Sequence, residues 1–183
     1  MSKKNVYEIG VGLLSSSRTR EFWGNDMYSC FLYEPNPILF NEIYQYTKFF
    51  RNVNVFNYAI SDSNDDSITM VLHGDCSFID GVKSPIVAHG TDHLARKPEN
   101  YQKVKNKRIT DIDKGDIDIL LLDMEGGEWA AIKNLISRPH QIVVEMIAGD
   151  YYVNPNKELI MKWMDENGYK KHSTNYGDYI FVK

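Results

Sequence analysis

A chain of 183 residues, 43% of them hydrophobic, is long enough to bury a sizeable core and suits one globular unit over 1–183. Its net charge of −4 argues against a surface built for nucleic acid. Glu8 interrupts any apolar stretch long enough for a signal peptide, no run of about 18 apolar residues follows, and Cys30 and Cys76 stand at no metal or redox spacing; the chain reads as soluble and cytoplasmic, off the membrane, with two reduced thiols.

The first element, over 6–9, is a β-branched and aromatic strand with Glu8 near its end. Gly10-Val11-Gly12 then lets the backbone turn sharply and approach a ligand with no Cβ in the way. The Ser15-Ser16-Ser17 run offers N-cap hydroxyls to a helix expected over 16–23, whose free N–H groups suit an anion. Gly24-Asn25-Asp26 stops that helix, and a second strand over 27–33 ends in Glu34-Pro35-Asn36-Pro37, where the second proline opens a helix over 38–50. Glu34 lies about 20 positions beyond Gly12, the spacing at which a Rossmann-type unit places an acid on ribose hydroxyls. With a third strand over 53–56, the order strand, helix, strand, helix, strand is half of a doubly wound parallel sheet.

Residues 67–72 read as a further strand, after which 73–108 lose clear periodicity and are expected to form a long loop, a lid or a substrate-covering segment. The segment holds His73, His89, His93, Cys76 and Ser77, and its basic run from Arg96 to Arg108 sets six positive side chains against Glu99 alone. Such a run suits a phosphate, an acidic substrate or plain solvent. Residues 117–122 are apolar on both alternations, as in a central parallel strand covered on both faces. That strand ends in Asp123-Met124-Glu125-Gly126-Gly127-Glu128, whose acids fall on the same sheet edge as Gly10, Gly12 and Glu34. A helix over 128–136, a fifth strand over 142–144 ending at Glu145, a helix over 155–167 and an antiparallel hairpin of 169–173 with 179–182 complete the chain.

Strand ends carrying Glu8, Glu34, Asp123 and Glu145, with a closing hairpin, resemble the Rossmann-like class I methyltransferases that use S-adenosylmethionine. More narrowly, Tyr33-Glu34-Pro35-Asn36-Pro37, then Asn57-Tyr58-Ala59-Ile60-Ser61-Asp62, then Leu122-Asp123-Met124-Glu125-Gly126-Gly127-Glu128, then Ile142-Val143-Val144-Glu145 resemble the FkbM-type methyltransferase family over nearly the whole chain. The resemblance implies an α/β fold with a doubly wound, mostly parallel, seven-stranded Rossmann-like methyltransferase sheet and a C-terminal antiparallel hairpin. It implies that Glu8, Gly10 and Gly12 hold the amino-acid end of S-adenosylmethionine. Glu34, flanked by Pro35 and Asn36, is then expected on the ribose hydroxyls, Tyr58 and Ala59 beside the adenine, and Asp123 beside the sulfonium. Leu13-Leu14 stands where a third glycine is common in that family.

Methyl transfer displaces a carbon already activated by positive sulfur, so the protein's main work is in-line alignment and exclusion of water. A hydroxyl acceptor on a small molecule or carbohydrate, as the resemblance implies, also needs a base. Asp123 is the first candidate, Glu145 the second, and His93, delivered from 73–108, the third. Asp123 and Glu145 could share a divalent cation, but no third ligand stands at a recognisable spacing, and no metal is expected. Other classes stay open: a non-catalytic cofactor- or partner-binding module on the same fold, and a NAD-dependent oxidoreductase, whose third glycine would fall where Ser15 stands. A nucleic-acid methyltransferase would draw on 96–108, yet the Lys-Asp-Lys-Glu arrangement of ribose methyltransferases is not evident before Asp123. Oligomeric state leaves no mark in the sequence.

Overall fold

The computed structural model describes residues 3–183. Strand β1 (Lys4–Ile9) runs parallel to β2 (Tyr28–Tyr33), and α1 (Pro37–Thr47) carries the chain on to β3 (Val53–Phe56), again parallel. Pro37 starts α1 because its missing N–H would have no partner in a first turn; Asn36 caps it, its Oδ1 accepting the Ile38 N–H at 3.0 Å. The chain then leaves this sheet through β4 (Ala59–Ile60), β5 (Ser67–Val71), β6 (Phe78–Ile79), α2 (Pro85–Ala88), α3 (Asp92–Ala95) and β7 (Tyr101–Lys107). It returns by α4 (Ile109–Ile112) to β8 (Ile119–Leu122), followed by α5 (Glu128–Ile132), β9 (Gln141–Glu145), β10 (Ile147–Ala148), β11 (Tyr152–Val153), α6 (Lys157–Glu166), β12 (Lys170–Asn175) and β13 (Asp178–Val182).

The large sheet has seven strands in the order β12-β13-β9-β8-β1-β2-β3. From β3 to β9 its neighbours are parallel, whereas β13 is antiparallel to both β9 and β12, so the sheet is mixed. The exception has a local cause. Tyr176 (φ 48°) and Gly177 (φ 102°) form a two-residue turn that sends β12 straight back as β13, while parallel neighbours need a crossover.

Alternate side chains of the central strands enter two separate cores. Ile9, Leu120, Leu122, Ile142 and Val144 pack with Ile132 of α5 and Ile160 of α6, whereas Val6, Ile119, Leu121 and Val143 pack with Ile43 of α1. Each such side chain, fully buried, contributes about 1.5–3 kcal/mol. A one-residue slip of β8 would exchange its side chains between the two cores and move Asp123 off the strand end.

Three expectations need correction. No helix spans 16–23: Ser17 Oγ and Thr19 Oγ1 donate back to the Glu8 carboxylate at 2.7 and 2.6 Å, competing with helix capping, and a single 3₁₀ turn (Arg20–Phe22) forms. The serines thus build no anion-binding helix end. Residues 73–108 are not a plain loop; their helices are four residues long and too short to show a period, and the basic run contains β7, which pairs with β5 and β4. In β7 the alternation is Lys103, Lys105, Lys107 against Gln102, Val104, Asn106, so charge masks a period of two. The helix after β8 ends at Ile132 rather than 136. The second sheet, ordered β4-β7-β5-β6, buries Ala59, Met70, Leu72 and Val104. Among the described residues no helix is long and apolar enough to cross a membrane.

Candidate functional site

Beyond the carboxyl ends of β1, β2 and β8 lies a cleft of about 790 Å³, continuous with solvent. One wall is the turn from Gly10 to Leu13 with Glu34 and Pro35; Tyr58, just before β4, and Ala59, Met70 and Ile79 of the second sheet also line the cleft, as do Asp123, Met124 and Glu125.

The two glycines of the turn do different work. Gly10 (φ 80°) joins three strand ends, for a Cβ there would overlap the Asp123 carbonyl oxygen. Its N–H donates to Tyr33 O at 2.9 Å while the Asp123 N–H donates to Ile9 O at 3.0 Å. At Gly12 (φ 64°) a Cβ would touch only the Asp75 Cβ, at 3.7 Å; here the left-handed backbone, not crowding, requires glycine.

Glu34, 3% exposed, clamps this turn. Its Oε2 accepts the Gly12 N–H and its Oε1 the Asn36 N–H, both at 2.8 Å. Burial pushes its carboxyl up to about 7 against these bonds and a further one from Val11, with the Asp123 charge adding to the rise. A carboxylate offers about four lone-pair sites, so capacity is left for a hydroxyl in the cleft.

Glu8 is wholly committed inside the chain. Besides Ser17 and Thr19 it accepts the Arg18 N–H at 2.7 Å. Burial raises its carboxyl above the ordinary range while those bonds and the Arg18 charge oppose the rise. The Arg18 guanidinium then bridges Asp123 at 2.9 Å and Asp178 of β13 at 2.8 Å. Glu8 thus places the arginine that orients Asp123.

The acids after β8 divide into spent and unspent groups. Glu128 accepts the Met124 and Gly126 N–H groups at 2.8 and 3.2 Å and the Asn154 amide at 2.6 Å; it holds the turn in which it sits. Glu125, at φ 52°, projects a buried Oε2 with no hydrogen-bond partner in the chain. Burial and the charges of Asp123, Glu128 and Asp75 push it up to about 8. Glu145 Oε2 and the Tyr152 hydroxyl are likewise buried and unpartnered. Burial, then Asp123, Glu125, Glu128 and Asp178, raise Glu145 far above the carboxylate range.

Of the residues expected around a cofactor, Gly10, Gly12, Glu34, Pro35, Tyr58, Ala59 and Asp123 line the cleft. Glu8 and Asn36 do not; Asn36 is turned to its helix and to Gly74 O and Ser77 Oγ, at 3.3 and 3.4 Å. Of the three expected bases only Asp123 lines the cleft. Glu145 lies at the end of β9, and His93 is exposed on α3, its Nδ1 3.2 Å from Gly90 O. Sequence reasoning missed Arg18, Asp75, Tyr152 and Asp178. No spacing rule joins Arg18 to a partner 160 positions away; only its place just after the glycine turn could have flagged it.

A family model described as the methyltransferase FkbM domain matches residues 10–171. Among solved structures, precorrin-6y C5,15-methyltransferase from Geobacter metallireducens GS-15 is similar over 100% of this chain and 82% of its own, at 16% identity and a TM-score of 0.47. No curated protein matches the chain.

Proposed function

This chain belongs to the FkbM methyltransferase family, and from that premise we propose that it methylates a hydroxyl of a small-molecule or carbohydrate acceptor, using S-adenosylmethionine in the cleft described above. The observation that carries this reading is the meeting of the Gly12 turn and Glu34 with Asp123 and Glu125 in that one cleft. Its parts fit a nucleoside with a cationic tail: a bare Cα at Gly12, spare acceptor capacity on Glu34, an aromatic ring at Tyr58 and the carboxyl groups of Asp123 and Glu125.

S-adenosylmethionine, when bound, supplies a methyl group on positively charged sulfur. The chain's own residues do the rest. Gly10, Gly12 and the backbone of the turn admit the amino-acid end, Glu34 and Pro35 hold the ribose, and Tyr58 with Ala59 covers the base. Met70 and Ile79 give that side of the cleft an apolar wall against water. Asp123, fixed by the Arg18 guanidinium, takes the acceptor's proton as its oxygen bonds to carbon. Glu8 and Asn36 position this apparatus from behind. The whole chain acts as one methyltransferase unit in the cytoplasm, with the second sheet as a wall of its cleft.

Methyl-labelled S-adenosylmethionine incubated with a panel of sugars and small alcohols tests the reading. The label is expected in a base-stable methyl ether, with transfer reduced on the order of 10²-fold by Asp123→Asn, the lower part of the range for removing a base. Label in a base-labile ester or on nitrogen would contradict O-methylation of a hydroxyl.

A further inference from the structure

Around the ends of β8, β9 and β13 stand Asp123, Glu125, Glu128, Glu145 and Asp178, and among the described residues Arg18 is the one cation paired with any of them. Asp123 and Asp178 share that guanidinium, and Glu128 is consumed by Met124, Gly126 and Asn154. Glu125 and Glu145 keep one buried oxygen each without a partner. A third unpartnered atom, the Tyr152 hydroxyl, belongs to a side chain 1% exposed and lies within electrostatic reach of Glu128, Glu145, Glu125 and Asp123. Buried polar atoms normally find partners, and leaving each unmet costs about 1–3 kcal/mol. Three orphaned oxygens, one of them on the cleft-lining Glu125, call for a ligand that donates.

We propose that Glu125, Glu145 and Tyr152 form an acceptor subsite for a protonated amine, so that the methyl acceptor is an amino alcohol or amino sugar whose ammonium is held there while its hydroxyl meets Asp123. The proposal rests on the methyl-transfer reading above for the second half of that statement; the amine site stands on its own residues.

An ammonium has three N–H donors for the three oxygens and brings the positive charge that the acids lack. A neutral polyol donates to the same atoms but brings no charge to stabilise an ionised carboxylate, so it leaves both carboxyl groups protonated. The groups facing Glu145 are Asp123, Glu125, Glu128, Asp178 and the Tyr152 hydroxyl; those facing Glu125 are Asp123, Glu128, Asp75 and the Cys76 thiol, with Arg18 behind Asp123. Burial and these acids keep both glutamates protonated near neutral pH. An amine arriving as its ammonium must therefore displace a carboxyl proton to solvent, and no other bond changes.

Calorimetric titration of the full chain at pH 7, in two buffers of different ionisation enthalpy and with saturating S-adenosylhomocysteine, reads this directly. The probes are glucosamine against glucose and 2-aminoethanol against ethane-1,2-diol. The amines are expected to bind at least about tenfold more tightly than their hydroxyl counterparts, with release of about one proton and tighter binding from pH 6 to 8. Glu145→Gln and Glu125→Gln should each lower amine affinity about tenfold and Tyr152→Phe about threefold, while Glu145→Gln leaves S-adenosylhomocysteine affinity within about twofold, showing an intact fold. Equal binding of amine and alcohol, absence of proton release, binding of neither probe, or Mg²⁺ binding abolished by Glu145→Gln without amine preference would each overturn the proposal. Failure of S-adenosylhomocysteine to bind would instead strike the methyl-transfer reading, because amine titrations without it still report on the subsite.

Discussion

The two sides of the cleft are built on opposite terms. On the Gly12 side, Glu34 and Asn36 are bonded to the backbone they organise, and Glu8 fixes the arginine behind them. On the Glu125 side, three buried oxygens have no partner within the chain. The first side is pre-organised and should bind with little rearrangement; the second stores unfavourable burial that a fitting ligand relieves. Substitutions on the first side should therefore cost stability or cofactor affinity, and substitutions on the second should be tolerated by the fold.

The sharpest break is Gly10→Ala, which drives a Cβ into the Asp123 carbonyl at a left-handed φ. A loss on the order of 4 kcal/mol or more is expected, which lowers the melting temperature by roughly 8–16 °C at about 2–4 °C per kcal/mol. Gly12→Ala meets only an ordinary contact with the Asp75 Cβ but the same backbone restriction, so thermal unfolding should register only about 1–2 kcal/mol. If the two substitutions melt alike, Gly10 is not the joint between strands.

The acids supply a pH test. An ordinary glutamate releases its proton at 4.5, while folded Glu125 keeps its own up to about 8, and Glu34 and Glu128 theirs up to about 7. Between those values the folded chain binds more protons than the unfolded one, so stability falls as pH rises through the window. Melting temperature should decline between about pH 5 and pH 8, and Glu125→Gln should flatten the upper part of that decline. A wild-type melting temperature that rises over the same range would show the carboxyl groups to be ionised and paired. The smallest effect belongs to Tyr152→Phe, which deletes an unpartnered hydroxyl and should leave stability unchanged or raise it by up to about 1 kcal/mol in denaturant titration.

The contrast also explains what the sequence could disclose. The Gly12 side was legible because its parts are short-range: a strand, two glycines and an acid at a conventional spacing, then Asn36-Pro37 opening a helix. Residues 117–122 declared a central strand through apolarity on both alternations, and Asp123 followed from its end. The arginine network was not legible, since Arg18 meets Asp123 and Asp178 only after β1, β8 and β13 are placed. Nor was Tyr152, which sits in a two-residue strand with no pattern of its own. The helix after β1 was lost for a physical reason: serine and threonine hydroxyls bond to Glu8 as readily as they cap, and burial of that carboxylate decided the contest.

The most direct test of the central claim, a pre-formed S-adenosylmethionine cleft organised by Glu34, is calorimetric titration of wild type and Glu34→Ala with S-adenosylhomocysteine, with NAD as the control. Micromolar-range binding to the wild type, weakened by about 1–3 kcal/mol in Glu34→Ala and absent for NAD, is the expected result. No binding of S-adenosylhomocysteine by folded wild type, or tighter binding of NAD, would contradict it.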